Sequence, residues 1–109
     1  MRNIIIIGGT KGIGKAIVDQ LVDENTVFCI SRNSTEFSHN NYTHMTFDST
    51  VDELPDFEKV DTLVYCPGSI NLKPISALSI ENFREDFELN VIGAVKAIKK
   101  YLPVLKKGE

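Results

Sequence analysis

The strongest chemical signal in the chain is a cluster of glycines close to the amino terminus. An isoleucine run, Ile4–Ile7, is followed by Gly8-Gly9-Thr10-Lys11-Gly12-Ile13-Gly14. Glycine permits a positive φ angle and lets other groups approach the backbone closely. Where such a turn opens a helix, unpaired backbone amides and the helix dipole attract anions. The cluster therefore predicts a phosphate-binding turn rather than a glycine-rich connection without a ligand.

The same residues approach a second phosphate-binding signature. Gly9, Gly14 and Lys15 have the spacing of the Walker A motif of P-loop nucleoside triphosphatases. That motif continues with Ser or Thr, whose hydroxyl binds Mg²⁺, whereas this chain has Ala16. The apolar segment at residues 62–66 also ends without a carboxylate that could serve as a second metal ligand. A P-loop nucleoside triphosphatase is the less favoured alternative.

Hydrophobic spacing predicts the elements that hold this turn. Four apolar segments are expected to be strands: Ile4–Ile7, Thr26–Ile30, Tyr42–Phe47 and Thr62–Cys66. Residues 12–22 have the spacing of an amphipathic helix, and residues 51–57 could hold a short helix limited by Pro55. Strands alternating with helices predict an α/β fold with a doubly wound parallel sheet.

A long helix is predicted at the end of the chain. Ser79 is a suitable N-cap, and apolar residues then recur at every third or fourth position: Ile80, Phe83, Phe87, Val91, Ala94, Ile98, Tyr101 and Leu105. Asn90 falls inside this stripe, where a buried amide would need a hydrogen-bond partner. It is either a structural residue or part of a site.

The glycine spacing, Gly8-x-x-x-Gly12-Ile13-Gly14, resembles the T-G-x-x-x-G-I-G turn of short-chain dehydrogenases/reductases. The segment from Asp61 to Gly68 is similar to the family's D-x-L-V-N-N-A-G strand, although Tyr65, Cys66 and Pro67 replace N-N-A, and Asn90-x-x-Gly93 is similar to its N-x-x-G. The resemblance implies the N-terminal half of a Rossmann-like sheet of about four strands in the order 3-2-1-4. It implies cofactor contacts by the turn, Cys66 and Gly68, and places Asn90 beside the family's proton relay.

The residues after the second strand bear on the choice of nicotinamide cofactor. An acidic residue there would bind the ribose hydroxyls of NAD, whereas arginine accommodates the 2′-phosphate of NADP. This chain has Ser31-Arg32, and Lys11 in the turn adds a second cation. The pattern favours NADP(H) over NAD(H). The resemblance also implies that Asp48 contacts the adenine amino group.

The catalytic serine and the Tyr-x-x-x-Lys pair of the family have no counterpart in this sequence. Tyr101 fails the test because position 105 is Leu, and Tyr42 and Tyr65 fail it too. We therefore expect a truncated oxidoreductase segment that binds NADP(H) but is inactive alone, acting on a carbonyl or alcohol substrate only if the missing half completes it. The alternative is a non-catalytic nucleotide-binding or assembly module. An exposed edge on the fourth strand, or the last helix, predicts a homo-oligomer.

Composition excludes several other classes. A net charge of −3, a pI near 5.4 and no basic block before the last helix argue against nucleic-acid binding. No apolar stretch is long enough to span a membrane. Cys29 and Cys66 lie far apart in apolar runs, which predicts reduced thiols and a cytoplasmic protein. His39 and His44 lack the neighbours of a metal site and are predicted to be surface residues. Residues 1–109 are expected to form one domain.

Overall fold

A computed structural model describes residues 2–10, 12–33, 35–47, 53–67 and 74–105. Four strands form the sheet: β1 Asn3–Ile7, β2 Thr26–Ser31, β3 Tyr42–Thr46 and β4 Thr62–Tyr65. The helices are α1 Gly12–Leu21, α2 Ile80–Phe87 and α3 Gly93–Tyr101. A π-helical turn, Glu88–Ile92, joins α2 to α3, and short 3₁₀ turns cover Ile75–Ala77 and Leu102–Val104. None of the helices within the described ranges is long and apolar enough to cross a membrane.

The sheet is parallel with the order β3-β2-β1-β4, as predicted. At its carboxyl end, Ile7 lies between Ile30 of β2 and Tyr65 of β4. The strand order reverses between β1 and β4, because β2 and β3 continue to one side and β4 lies on the other. Parallel sheets bind their ligands at such a reversal, beyond the carboxyl ends of the strands.

The isoleucines of β1 serve two hydrophobic cores because successive side chains point to opposite faces. Ile4 and Ile6 pack on the α1 face with Val18, whereas Ile5 and Ile7 pack on the other face with Tyr101. All four isoleucines are buried. Each contributes about 1.5–3 kcal/mol relative to an exposed side chain, which explains why an uninterrupted apolar run forms the central strand.

Ser79 caps α2 as predicted, accepting from the Asn82 amide while the Asn82 side chain accepts from the Ser79 amide. The predicted apolar stripe faces the core only at its end, where Tyr101 is buried and Leu105 packs against the same cluster. Phe83 is 47% exposed and Phe87 56% exposed, whereas the helix buries Ala97 and Tyr101. Gly93 lies against Tyr65 of β4 and Ala97 is buried, whereas most of the larger apolar residues of the stripe are exposed, so hydrophobic spacing indicated the core face correctly only near Tyr101.

Two further expectations need correction. Residues 53–57 are not helical, because Pro55 cannot supply a helical amide and its carbonyl oxygen instead accepts from the Tyr101 hydroxyl at 2.8 Å. The edge of β4 is also not wholly open. Val60 forms a parallel bridge with Leu105, and the Val60 amide donates to the Val104 carbonyl oxygen at 2.9 Å. The chain after α3 therefore returns to the outer side of β4. That residues 1–109 form one domain stays a prediction.

Candidate functional site

The glycine turn after β1 contains two residues in the left-handed region of backbone space. The φ angle is +82° at Gly8 and +62° at Gly12, and a side chain at either position would add steric strain. The Gly8 amide donates to the carbonyl oxygen of Ile30 at 2.8 Å. This bond attaches the turn to the end of β2, as the predicted site requires.

The turn is closed on one side and open on the other. A Cβ atom at Gly14 would lie 2.2 Å from the carbonyl oxygen of Gly8, so α1 can cross the turn only with glycine at this position. A Cβ atom at Gly12 would meet no heavy atom within 4 Å. Thr10 is half-buried and Ile13 is 78% exposed beside this space. An anion on the open side could reach the first amides of α1, which have no hydrogen-bond partner within an α-helix.

Lys15 distinguishes this turn from a P-loop. A Walker lysine reaches toward the bound phosphates, but Lys15 bonds with the carboxylate of Asp19 one helical turn further on. Its Nζ atom also lies 4.3 Å from the centre of the Phe37 ring. The lysine is thus engaged along α1, and Ala16 offers no Mg²⁺ ligand, so the geometry disfavours the triphosphatase alternative.

At the end of β2, Ser31 is half-buried and Arg32 is exposed. The Ser31 hydroxyl donates to the Asn33 carbonyl oxygen at 2.9 Å and lies 2.8 Å from Nε2 of His44 on β3. Within the described ranges Arg32 forms no ion pair. His44, which the sequence interpretation assigned to the surface, is instead half-buried and bonds with Ser31 at the end of β2.

The end of β4 closes the other side of the glycine turn. The Cys66 amide donates to the Ile7 carbonyl oxygen at 2.9 Å, and a Cβ atom at Gly8 would lie 3.1 Å from the Pro67 nitrogen. Cys66 is half-buried. Its burial, and to a lesser degree the charge of the nearby Cys29, raises the pKa of the Cys66 thiol. A thiol that stays protonated is a poor nucleophile. Cys66 therefore borders the turn as a neutral packing residue, and both cysteines are free.

The π turn between α2 and α3 is anchored from the sheet by Tyr65. The Tyr65 hydroxyl donates to the Leu89 carbonyl oxygen at 2.7 Å. In an α-helix that oxygen would accept from the Gly93 amide, but here the Gly93 amide bonds with Glu88. Burial, and secondarily the charge of Glu88, raises the pKa of Tyr65, so the hydroxyl keeps its proton. The Tyr65 hydroxyl thus replaces the backbone amide that would bond with the Leu89 carbonyl oxygen in a regular α-helix.

Asn90 lies on this π turn and is exposed, not enclosed in an apolar stripe as the sequence suggested. Turns of this kind recur at functional sites because they change the direction of a few side chains within a helix. Tyr101, by contrast, is only 1% exposed and donates its hydroxyl proton to Pro55. It cannot reach a substrate, which agrees with its failure in the Tyr-x-x-x-Lys test.

The structure thus gathers the glycine turn, the end of β2 and the end of β4 at one edge of the sheet. Lys11, Asp48 and Gly68 lie outside the described residues. Sequence reasoning missed the contributions of His44 and Tyr65. The signal for His44 was its position, since parallel pairing puts it opposite Cys29, two residues before Ser31 and on the same face.

No family model matches the chain, but individual proteins do. It is 28% identical over 103 residues to a putative UDP-glucose 4-epimerase of Methanocaldococcus jannaschii, an alignment that covers 88% of this chain and 32% of the relative. A short-chain dehydrogenase family protein of Francisella tularensis superposes with a TM-score of 0.80 at 27% identity, covering 99% of this chain and 48% of that one.

A short-chain dehydrogenase of Leptospira borgpetersenii with bound NAD+ superposes with a TM-score of 0.78 over 94% of this chain and 45% of its own length. At 16% identity this match shows the fold alone. The chain therefore spans about half the length of these solved structures and about a third of the curated relative.

A parallel sheet in this order, with a glycine turn after its first strand, defines a Rossmann-type α/β unit. Within that class, the resemblance to the short-chain dehydrogenase/reductase family is confirmed, and the chain corresponds to the N-terminal half of that fold.

Proposed function

We propose that the chain forms the adenosine and pyrophosphate side of a nicotinamide dinucleotide site in a short-chain oxidoreductase, and that the dinucleotide is NADP(H). The observation that carries this proposal is the asymmetric turn, closed at Gly14 and open at Gly12. Such a turn accepts a pyrophosphate because no side chain separates the ligand from the backbone amides. The Leptospira relative binds NAD+ on the same fold.

The preference for NADP(H) is supported by the end of β2. Arg32 is exposed there, and Ser31 rather than a carboxylate precedes it. A 2′-phosphate would form charge-assisted hydrogen bonds with the guanidinium, whereas a carboxylate at this position would repel it. Lys11 and Asp48 stay proposed contacts on the phosphate and adenine sides, as do Cys66 and Gly68 at the end of β4.

The dinucleotide would supply the chemistry as donor or acceptor of a hydride to a carbonyl or alcohol substrate. The residues of this chain would bind and orient it. Asn90 is proposed as a positioning residue for the proton relay, supported by its place on the π turn that Tyr65 anchors. The reducing cytoplasm remains our proposed compartment, which two free cysteines support.

Titration of the 109-residue chain with NADPH and NADH, followed by cofactor fluorescence, tests the binding proposal. We expect a lower Kd for NADPH than for NADH. Arg32→Ala should raise the NADPH Kd about tenfold, the effect of losing one or two charge-assisted bonds, while leaving the NADH Kd within twofold. Arg32→Lys should give an intermediate value because lysine lacks the bidentate geometry.

Arg2→Ala is the matched control, since Arg2 is exposed at the amino-terminal end of the sheet, and it should change neither Kd. The proposal of dinucleotide binding fails if neither nucleotide alters the fluorescence of a folded chain. The proposed preference for NADP(H) fails if both nucleotides bind equally, or if Arg32→Ala weakens them to the same degree.

We also propose that the chain forms a homodimer through the exposed side of α2 and α3, where Phe83 and Phe87 lie. Exposed acidic side chains occur along the first half of these helices and exposed lysines along the second: Glu81, Glu85, Glu88, Lys96, Lys99 and Lys100. Four of them already form ion pairs within one copy, Glu81 with Arg84, Glu88 with Lys96 and Lys100 with Asp56. The half-exposed rings of Phe83 and Phe87 therefore carry the proposal, because a patch of large exposed apolar side chains is typical of an interaction surface. The bridge between Val60 and Leu105 partly covers the alternative edge on β4.

Light scattering at micromolar concentration tests the dimer. We expect a dimer that Phe83→Ser with Phe87→Ser converts to a folded monomer, because both rings are about half exposed in one copy. Exchanging the exposed Thr43 of β3 for serine is a control that should leave the dimer intact. A monodisperse wild-type monomer would remove the proposal, as would a dimer that survives the double substitution.

A further inference from the structure

A short chain of hydrogen bonds joins β3 to the loop that carries Arg32. The Nε2 atom of His44 lies 2.8 Å from the Ser31 hydroxyl oxygen, and that hydroxyl donates to the Asn33 carbonyl oxygen at 2.9 Å. The second bond spans Arg32, so it closes a small turn with Arg32 at its centre. The arrangement restrains the backbone that carries the guanidinium.

The proton inventory of these groups defines the form of His44. A serine hydroxyl has one proton, and when it donates to Asn33 its oxygen can only accept from the imidazole. His44 must then carry its proton on Nε2. If Nε2 lacked a proton, the hydroxyl would rotate toward the ring, and the Asn33 carbonyl oxygen would lose its donor. The tautomer of His44 therefore decides whether the Arg32 turn is closed.

We propose that His44 is a positioning residue for Arg32, acting through Ser31, and that it increases the preference of the site for a dinucleotide with a 2′-phosphate. The inference rests on the proposed function. A phosphate held by arginine gains most when the arginine backbone is ordered before binding, because the ordering cost is then not subtracted from the affinity. A dinucleotide without the 2′-phosphate does not use the guanidinium in this way and gains little.

The affinity ratio of NADPH to NADH in the 109-residue chain is the decisive measurement. His44→Ala should lower that ratio about three- to tenfold, the usual effect of one hydrogen bond, with the NADH Kd unchanged. His44→Gln should keep most of the ratio because its amide can donate to Ser31. Thr43→Ala, an exposed neighbour on the same strand, should have no effect.

A double-mutant cycle tests whether His44 acts through Ser31. Ser31→Ala should lower the ratio by a similar factor, and adding His44→Ala to it should lower the ratio no further. Independent, multiplicative losses would overturn the inference, and so would an equal loss of affinity for both nucleotides. If circular dichroism shows that His44→Ala does not fold, the other two variants test the inference. A low NADPH-to-NADH affinity ratio in His44→Gln would contradict the mechanism, and so would a wild-type ratio in Ser31→Ala.

A measurement without nucleotide separates this inference from the proposed function. The ¹⁵N chemical shifts of the His44 ring in the free chain should show the Nε2–H tautomer, and Ser31→Ala should reduce its population. A dominant Nδ1–H tautomer would overturn the inference even if NADPH binds. Conversely, a chain with the Nε2–H tautomer but no preference for NADPH would refute the proposed function and leave the turn merely structural.

Discussion

At two glycines of this chain, Gly14 and Gly93, an added Cβ atom would lie equally close to a neighbouring oxygen atom. One oxygen belongs to the backbone and the other to a side chain. A Cβ atom at Gly14 would lie 2.2 Å from the backbone carbonyl oxygen of Gly8, and one at Gly93 would lie 2.2 Å from the Tyr65 hydroxyl oxygen. The first contact joins two backbone segments of the β1–α1 turn. The second joins a helix to the end of a side chain.

The difference concerns how far each contact can adjust. The Gly8 oxygen is fixed by a turn whose ends are held by β1 and α1, so relief would require the sheet or helix to move. The Tyr65 hydroxyl ends a side chain that can rotate, although it would lose its bond with Leu89. Gly93 has a φ angle of −59°, so only the close approach, and not the backbone conformation, requires glycine there.

Gly14→Ala should produce the largest effect. Alanine favours helices over glycine by about 1 kcal/mol, but here the contact with a fixed backbone oxygen outweighs that gain. We expect a loss of more than about 3 kcal/mol in the free energy of unfolding, measured by urea denaturation. For a chain of this size the melting temperature should fall by more than about 12 °C.

Gly12→Ala is the matched control for the rigid contact. Its Cβ would meet no neighbour within 4 Å, although its φ angle of +62° is unfavourable for alanine. The expected loss is about 1–2 kcal/mol, clearly smaller than that of Gly14→Ala. A Gly14→Ala loss no larger than that of Gly12→Ala would mean that small shifts relieve the contact with the Gly8 oxygen, because Gly14 has no positive φ angle that could strain the backbone.

Gly93→Ala should cost about 1–2 kcal/mol in the wild-type background, because the Tyr65 hydroxyl must move and surrender its bond. Tyr65→Phe alone should cost about 1 kcal/mol, since the Leu89 oxygen loses its donor. In the Tyr65→Phe background the overlapping oxygen is gone, and the helix propensity of alanine should make Gly93→Ala neutral or stabilising by up to about 1 kcal/mol. Urea denaturation of the four proteins measures this change of sign.

The proposed difference between the two contacts would be wrong if Gly93→Ala destabilised the protein as much with phenylalanine at position 65 as with tyrosine. The Tyr65 Cζ atom would lie 3.2 Å from the new Cβ atom, a tight but adjustable contact. Additive losses would therefore show that the helix and sheet are locked by the ring itself, as rigidly as α1 is locked against the first turn.

The rigid region is also the one that the sequence predicted well. The isoleucine run, the glycine spacing and the helix from Gly12 depend on local rules of backbone conformation and burial, and the strands follow within one residue at most ends. The parallel order of the sheet followed from the alternation of strands and helices together with the family resemblance. Constraints between residues that are close in the chain determine which residue types occur there, so they can be predicted from the sequence.

The side-chain region was predicted less well because its contacts join residues far apart in the chain. The last helix has apolar residues on more than one side, and only the position of the sheet decides that Ala97 and Tyr101 face inward. The bond between Tyr65 and Leu89 spans 24 positions, and it accounts for a π turn that spacing cannot reveal. The pairing of Ser31 with His44 likewise depends on the register of β2 and β3.

Tyr101→Phe should have a small effect, about equal to that of Tyr65→Phe, and it removes a hydroxyl hydrogen bond that lies against no glycine. The ring stays packed, but the Pro55 oxygen loses its donor at 2.8 Å, so the variant should be less stable by about 1 kcal/mol at pH 8. Burial, and then the charge of Asp56, raises the pKa of Tyr101 to about 12. The folded state thus binds the Tyr101 proton more tightly than the unfolded state, and wild-type stability should fall relative to the variant as the pH rises from 10 to 12. Tyr42 and Tyr65 titrate in both proteins and cancel in the difference. Urea denaturation at pH 8, 10 and 11 measures that difference, and a gap that stays constant with pH would show that the Tyr101 proton is not held by the fold.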